Sequence, residues 1–220
     1  MNITHVNVNR NDFTGDRLEA IFNRQKELMA KYHDIELKSG LLQTEDCPVN
    51  INDKKGQARL KDFAWRMTEE IGEAIDSLYI DHDQEHYAEE LIDALHFLTE
   101  FTILSGVEPK DLMPADYNPD FGDMLAGICD LENVATPDGS FREKYFTEHI
   151  RAMGMTCNCL KNKPWKQTMM LTDKANFLFH LKTVWWNFMT LLRYEMTTDD
   201  IFLTYVKKSE VNKFRQRSNY

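Results

Sequence analysis

The chain has 220 residues, of which 42% are hydrophobic and 28% are charged, as in ordinary globular proteins. No stretch approaches 18 consecutive apolar residues, so no membrane span is predicted, and the N-terminus lacks the basic-then-apolar pattern of a signal peptide. The formal net charge of −10 argues against nucleic-acid binding across the whole surface, because phosphate backbones are bound by basic stripes. We therefore expect a cytoplasmic protein with reduced cysteines.

Regularly spaced apolar residues predict a helical first half. Residues 16–32 place apolar side chains along one helical stripe, and Gln25 lies on that stripe. The polar residues, glycines and proline of 34–56 predict a loop, and a second helix follows at about 57–79. A third helix, at about 85–105, is apolar on most sides and is therefore expected to be buried.

The second half contains the least regular segment, residues 110–165, where four prolines and several glycines interrupt the pattern. We expect loops and one or two short helices there, forming an insertion. A fourth long helix is predicted at roughly 169–194 and a last one at about 199–214, preceded by threonines and aspartates typical of a helix start. The predicted fold is all-α, a helical bundle forming a single domain over 1–220.

Four carboxylates occur at matched spacings: Glu70 and Glu73 in the second predicted helix, and Glu90 and Asp93 in the third. Residues three apart share one helix face. Two such faces packed together would gather negative charges that raise one another's pKa unless a cation neutralises them. Oxygen ligands of this kind suit Mg²⁺ or Mn²⁺, and Mg²⁺ commonly binds together with a phosphate-bearing substrate.

Asp93 stands out because it lies within the most apolar predicted helix, where an unpaired carboxylate is costly. A buried salt bridge is the alternative to a metal site, yet no Lys or Arg lies within a helical turn of Asp93 in the sequence. Glu70 and Glu73 by themselves are also typical of a solvated helix face. His96 follows Asp93 by three residues. Taken by itself, it could be a hydrogen-bonded histidine of the core rather than a functional group.

The last predicted helix carries polar side chains on one face, at steps of four and three: Tyr205, Lys208, Asn212 and Arg215. An ammonium, an amide and a guanidinium in a row suit phosphate oxygens, although a solvated basic terminus has the same composition. Gln25 is similarly open to two interpretations. Its carboxamide could read the edge of a pyrimidine or bond to a neighbouring backbone group.

These motifs together resemble the all-α nucleoside triphosphate pyrophosphatases, in particular the dimeric dUTPases and phage dCTPase–dUTPases. Four segments carry the resemblance in the order found in that family: Phe22-Asn-Arg-Gln25, Glu70-Ile-Gly-Glu73, Glu90-Leu-Ile-Asp93-Ala-Leu-His96-Phe97, and the run from Tyr205 to Tyr220. The resemblance does not extend to residues 110–165. It implies the all-α NTP pyrophosphatase fold, with that segment as an irregular or helical insertion.

The resemblance also implies a metal-dependent reaction. Glu70, Glu73, Glu90 and Asp93 would hold two or more Mg²⁺ ions, with Mn²⁺ as a possible substitute. Glu70 would orient or deprotonate the water that attacks the α-phosphorus of a pyrimidine deoxynucleoside triphosphate.

The implied substrate contacts come from several parts of the chain. Gln25 would read the base, and His96 with Phe97 would line the deoxyribose pocket. Phosphate contacts are expected from Lys208, Asn212 and Arg215 beside Tyr205, with Tyr220 closing over the nucleotide.

The expected activity is therefore Mg²⁺-dependent hydrolysis of dUTP to dUMP and pyrophosphate by a homodimer. The dUTPase aromatic cluster after the first metal motif is replaced here by Tyr79-Ile-Asp-His82. The substrate could therefore instead be dCTP or a modified pyrimidine nucleotide, as for phage enzymes. A phage-encoded protein would act in the host cytoplasm. A further alternative is an enzyme of broader specificity that also accepts purine nucleotides. A non-catalytic nucleotide sensor is the alternative from another class, and a purely structural helical protein would leave Asp93 unexplained.

Overall fold

The computed structural model describes residues 6–9, 13–117, 122–130 and 140–217. Within these ranges the chain forms eight helices and no β-strand, which confirms the predicted all-α class. The helices are α1 (Arg17–Ser39), α2 (Lys54–Tyr79), α3 (Gln84–Leu104), α4 (Pro109–Leu112), α5 (Met124–Asp130), α6 (Phe141–Cys159), α7 (Lys174–Glu195) and α8 (Thr198–Arg217). None of the helices within the described ranges is long and apolar enough to cross a bilayer.

Aspartates begin the helices that build the centre of the molecule. The side chain of Asp16 accepts from the backbone N–H of Glu19 at the start of α1, and Asp53 does the same for Gly56 in α2. Asp83 caps α3 through two backbone N–H groups. A cap of this kind satisfies donors that have no partner within the first helical turn, so these aspartates fix where each helix begins.

The predicted loop at 34–56 is partly wrong, because α1 continues to Ser39 and α2 already begins at Lys54. Gly40 ends α1 with a φ of 71°, a left-handed conformation that glycine adopts without steric cost. Residues 34–39 instead form the exposed end of α1, while residues 40–53 connect it to α2.

Helix α3 lies at the centre of the bundle and packs against α1, α2, α7 and α8. Its apolar residues Leu91, Ile92 and Leu95 are fully buried, as predicted for a helix that is apolar on most sides. Trp185 of α7 packs against it and donates its indole N–H to Thr102 Oγ1 at 2.9 Å. The motif of Glu90 and Asp93 is therefore held on a helix that is enclosed by the rest of the fold.

The segment 110–165 is more regular than expected, since it holds the end of α4, all of α5 and the 19-residue α6. Helix α6 packs along α7 and buries Phe146, Ala152 and Met153. The prolines that suggested an irregular segment lie outside α6 and do not interrupt it. An expectation of only short helices is therefore wrong for this part of the chain.

Replacing the buried Trp185 with alanine should lower the free energy of unfolding by about 3–5 kcal/mol, because it leaves a cavity and removes a buried hydrogen bond to the Thr102 hydroxyl. Trp165, which is 78% exposed, provides a matched control whose alanine variant should stay within about 0.5 kcal/mol of the wild type. Urea denaturation followed by far-UV circular dichroism measures both. Equal losses for the two variants would contradict this description of the core.

Candidate active site

Three of the four predicted carboxylates come together where α2 packs against α3. A short connection at residues 80–83 joins the two helices, so the chain folds back and the two motifs face each other. Glu70, Glu90 and Asp93 each present an oxygen, and these oxygens all lie within 4.8 Å of one another. The fourth carboxylate, Glu73, is exposed and lies outside this trio. The spatial arrangement suits a divalent cation, while the role of each residue as a ligand stays a prediction.

Crowding of these carboxylates disfavours their ionised forms. Burial raises the pKa of Glu70 to about 8, and a hydrogen bond with Glu90 and the charges of Asp93, Glu90 and Glu73 act in the same direction. Burial also raises the pKa of Asp93 to about 6, although Lys208 opposes this shift. The charge of Glu73 therefore reaches the cluster even though its side chain points to solvent. A bound cation would favour the ionised carboxylates and so oppose both shifts, which means that this set of donors fits a divalent metal ion.

Glu90 is held in place by a histidine that the motif did not indicate. His86 Nε2 lies 2.6 Å from Glu90 Oε1, and His86 Nδ1 lies 2.9 Å from the hydroxyl of Ser77. With the serine donating to Nδ1, the proton of the imidazole is assigned to Nε2 and points at the carboxylate. Because His86 precedes Glu90 by four residues on one helix, its position could have been found from the sequence.

Asp93 has a salt-bridge partner after all. Lys208 Nζ, from α8, lies 2.7 Å from Asp93 Oδ2 and 3.5 Å from Glu89 Oε2. The salt bridge that was the alternative to a metal site is therefore present, and its cation comes from α8 rather than from a neighbour along α3. Lys208 places a buried ammonium beside the carboxylate trio, and its contact with phosphate stays a prediction.

Gln25 belongs to a buried hydrogen-bond network that joins α1, α3 and α8. Its side-chain oxygen accepts from His96 Nδ1 at 2.8 Å and from the Tyr205 hydroxyl at 2.7 Å, while its amide nitrogen donates to Glu100 Oε2 at 2.8 Å. The rings of His96 and Tyr205 stack with their centroids 3.9 Å apart. Gln25 is only 2% exposed, and its oxygen is already occupied by two donors. These contacts are intramolecular, so Gln25 as a direct reader of the base stays a prediction.

His96 leaves one ring nitrogen directed away from this network. Its Nε2 is buried and has no hydrogen-bond partner among the described residues. Burial, assisted by the charge of Lys208, lowers the pKa of His96 to about 3, so the ring is neutral. With Nδ1 donating to Gln25, Nε2 is left as an acceptor suited to a ligand hydroxyl group.

A cavity of about 420 Å³ connects the carboxylates with this network. It is lined by Gln25, Leu28, Tyr32, Glu36, Phe63, Arg66, Glu70, Asp93, His96, Phe97, Glu100, Asn212 and Arg215. The carboxylates lie in one part, the apolar side chains form walls, and Asn212 and Arg215 bring the predicted polar face of α8 to the same pocket. Another cavity, of about 470 Å³, borders Pro48 and Phe177 and contains none of the predicted site residues.

Apart from Glu73 and Glu90, whose positions are described above, the predicted site residues fall into three groups. Glu70, Asp93, His96, Phe97, Asn212 and Arg215 line the cavity together with Gln25. Tyr205 is fully buried behind it, and Lys208 pairs with Asp93. Tyr220 lies outside the described residues. Sequence reasoning missed Glu100 and Arg66, although Glu100 follows His96 by one helical turn and could have been found by extending the motif.

A protein-family model described as dUTPase matches residues 17–220. The chain belongs to the all-α dUTPase family. No curated protein and no solved structure matches the chain. Family membership makes the protein a hydrolase of nucleotide metabolism with dUTP or dNTP pyrophosphatase activity, and members of the family typically use a divalent metal. The carboxylate cluster beside the cavity is the candidate site for such a metal.

Without added metal, the protein should become less stable as the pH rises from about 5 to about 8. Glu70 has a pKa near 8 when folded but an ordinary pKa near 4.5 when unfolded, so only the unfolded chain releases this proton over most of that interval. Melting temperatures in EDTA should therefore fall with pH, and Glu70→Gln should reduce the fall. The exposed neighbour Glu69 supplies the control, since Glu69→Gln should keep the wild-type slope. Parallel slopes for wild type and Glu70→Gln would contradict the assignment.

Proposed function

We propose that the protein uses Mg²⁺ to cleave pyrimidine deoxynucleoside triphosphates between the α- and β-phosphates, releasing the monophosphate and pyrophosphate. The observation that carries this proposal is the trio of Glu70, Glu90 and Asp93, whose oxygens lie within 4.8 Å of one another beside a cavity of about 420 Å³. Mg²⁺ bound by these carboxylates, with Glu73 nearby, would lower the pKa of a water molecule and neutralise charge on the phosphates. Family membership supports the same reaction class.

The residues of the chain have distinct proposed roles. Glu70 lines the cavity and, once its proton is displaced, can orient the attacking water and accept its proton. Lys208 forms a salt bridge with Asp93, and its ammonium can bind a phosphate oxygen of the substrate in place of that carboxylate. Asn212 and Arg215 line the same cavity and can bind the remaining phosphate oxygens.

The sugar and base are proposed to occupy the apolar part of the cavity. Phe97 and Phe63, with ring centroids 6.2 Å apart, provide aromatic walls, and the free Nε2 of His96 offers an acceptor for the 3′-hydroxyl. dUTP is the substrate that the family relationship suggests. dCTP is the other candidate, because Glu100 adds a carboxylate to the lining of this cavity.

A homodimer and a closing role for Tyr220 remain predictions that rest on the resemblance, and a cytoplasmic location remains a prediction from the sequence pattern. A non-catalytic sensor is disfavoured by the clustered carboxylates, since binding of a nucleotide without turnover does not require a trio held close together at the pocket.

A panel of deoxynucleoside triphosphates assayed with Mg²⁺ should give pyrophosphate release from dUTP and dCTP and at least tenfold slower release from dATP and dGTP. The reason is that the apolar walls enclose a cavity of about 420 Å³ that a pyrimidine nucleotide fills. Coupled detection of pyrophosphate together with chromatographic detection of the monophosphate identifies the bond that is cleaved. Release of inorganic phosphate alone, or similar rates for all four substrates, would contradict the proposal.

The variant Glu70→Gln should lower kcat by at least about 100-fold, because the amide cannot accept a proton and supplies a weaker metal ligand. Binding of dUMP should persist in isothermal titration calorimetry, since the base and sugar contacts are unchanged. Glu69→Gln, at an exposed position on the same helix, is the matched control and should keep wild-type turnover. Normal turnover by Glu70→Gln would exclude Glu70 as the catalytic base, and absence of turnover in the wild type would favour a sensor.

A further inference from the structure

Glu100 lies in the active-site cavity but away from the carboxylate trio. It follows Asp93 by seven residues on α3, which places it about 10 Å farther along the helix axis. Two helical turns leave room for a deoxyribose between a phosphate at Asp93 and a base at Glu100. The side chain is partly exposed within the cavity lining and belongs to none of the motifs that the family resemblance includes.

The orientation of Glu100 is fixed by Gln25. The amide nitrogen of Gln25 donates to Glu100 Oε2 at 2.8 Å, and the oxygen of Gln25 is held by His96 and Tyr205. Gln25 therefore directs Glu100 and keeps no free acceptor for a base. Glu100 Oε1 has no hydrogen-bond partner among the described residues, so one carboxylate oxygen is left for a ligand.

The other carboxylate at this end of the cavity is already engaged. Glu36 Oε2 lies 3.1 Å from Arg59 Nη2, in a pair whose arginine is buried. Among the described residues Glu100 makes no ion pair with an arginine, and burial raises its pKa to about 7, although the hydrogen bond from Gln25 and the more distant charges of Arg59 and Arg66 oppose this shift. A ligand N–H directed at the free oxygen would supply the missing stabilisation of the ionised carboxylate.

We propose that Glu100 selects the base by accepting a hydrogen bond from the exocyclic amino group of cytosine, so that the cavity prefers dCTP over dUTP. At the same ring position uracil carries a carbonyl oxygen, which a carboxylate oxygen repels, whereas the cytosine amino group is a donor for which carboxylates are the usual partner. Leu28, Phe63 and Phe97 hold the ring through apolar contact and do not distinguish the two bases. This inference rests on the proposed function, because it assigns the base of that substrate.

Equilibrium binding of dCMP and dUMP, measured by calorimetry at about pH 8.5, where Glu100 is ionised, tests the inference without requiring turnover. Wild-type protein should bind dCMP at least tenfold more tightly than dUMP. In Glu100→Gln the ratio should fall at least tenfold, because an amide can pair with either base. Glu85→Gln, at an exposed position near the start of the same helix, should keep the wild-type ratio.

A second measurement uses only the wild-type protein and so does not depend on the variant folding. The monophosphate of 2-pyrimidinone deoxyriboside replaces the cytosine amino group with hydrogen and keeps the ring acceptors. It should bind at least tenfold more weakly than dCMP. Equal binding of these two ligands, or an unchanged dCMP-to-dUMP ratio in a folded Glu100→Gln variant, would overturn the inference.

The two proposals fail in different ways. If no deoxynucleoside triphosphate is hydrolysed, the proposed function is wrong, while the dCMP-to-dUMP binding ratio still tests Glu100. If hydrolysis proceeds but the two monophosphates bind equally, the reaction stands and the selection of cytosine by Glu100 is wrong.

Discussion

Like-charge repulsion within one helical hairpin is the constraint on which the rest of this structure depends. Packing α2 against α3 brings Glu70, Glu90 and Asp93 together at the edge of the core, where burial and mutual repulsion raise the pKa of Glu70 and of Asp93. The fold compensates this charge only in part. Lys208 supplies one ammonium from α8, and the remaining demand for positive charge makes the site suited to a metal ion and its phosphate ligand.

A neutral network complements this charged cluster on the same face of α3. Gln25, His96 and Tyr205 tie three helices together through hydrogen bonds whose partners are nearly all buried. Buried polar groups that satisfy one another in this way fix side-chain orientation, because breaking one bond leaves the others unpaired. The network thereby orients two side chains that line the cavity, His96 and Glu100.

Local sequence rules predicted most of the individual elements. Apolar spacing indicated the long helices, and the aspartates that precede them mark where three of the helices begin. The failures have specific causes. Helix α6 was not expected as a 19-residue helix because prolines on either side of it obscured the pattern, and α1 was predicted to end too early because its exposed last turns are polar.

The sequence by itself determined the residue types of the site and their order along each helix, because spacings of three and four fix which side chains share a face. It therefore predicted the pairing of Glu70 with Glu73 and of Glu90 with Asp93. Only the tertiary structure decided which groups meet across helices. Glu73 lies outside the trio, Lys208 pairs with Asp93, and Gln25 turns its amide toward Glu100, since these contacts join residues far apart in the chain and depend on how α1, α2 and α8 pack around α3.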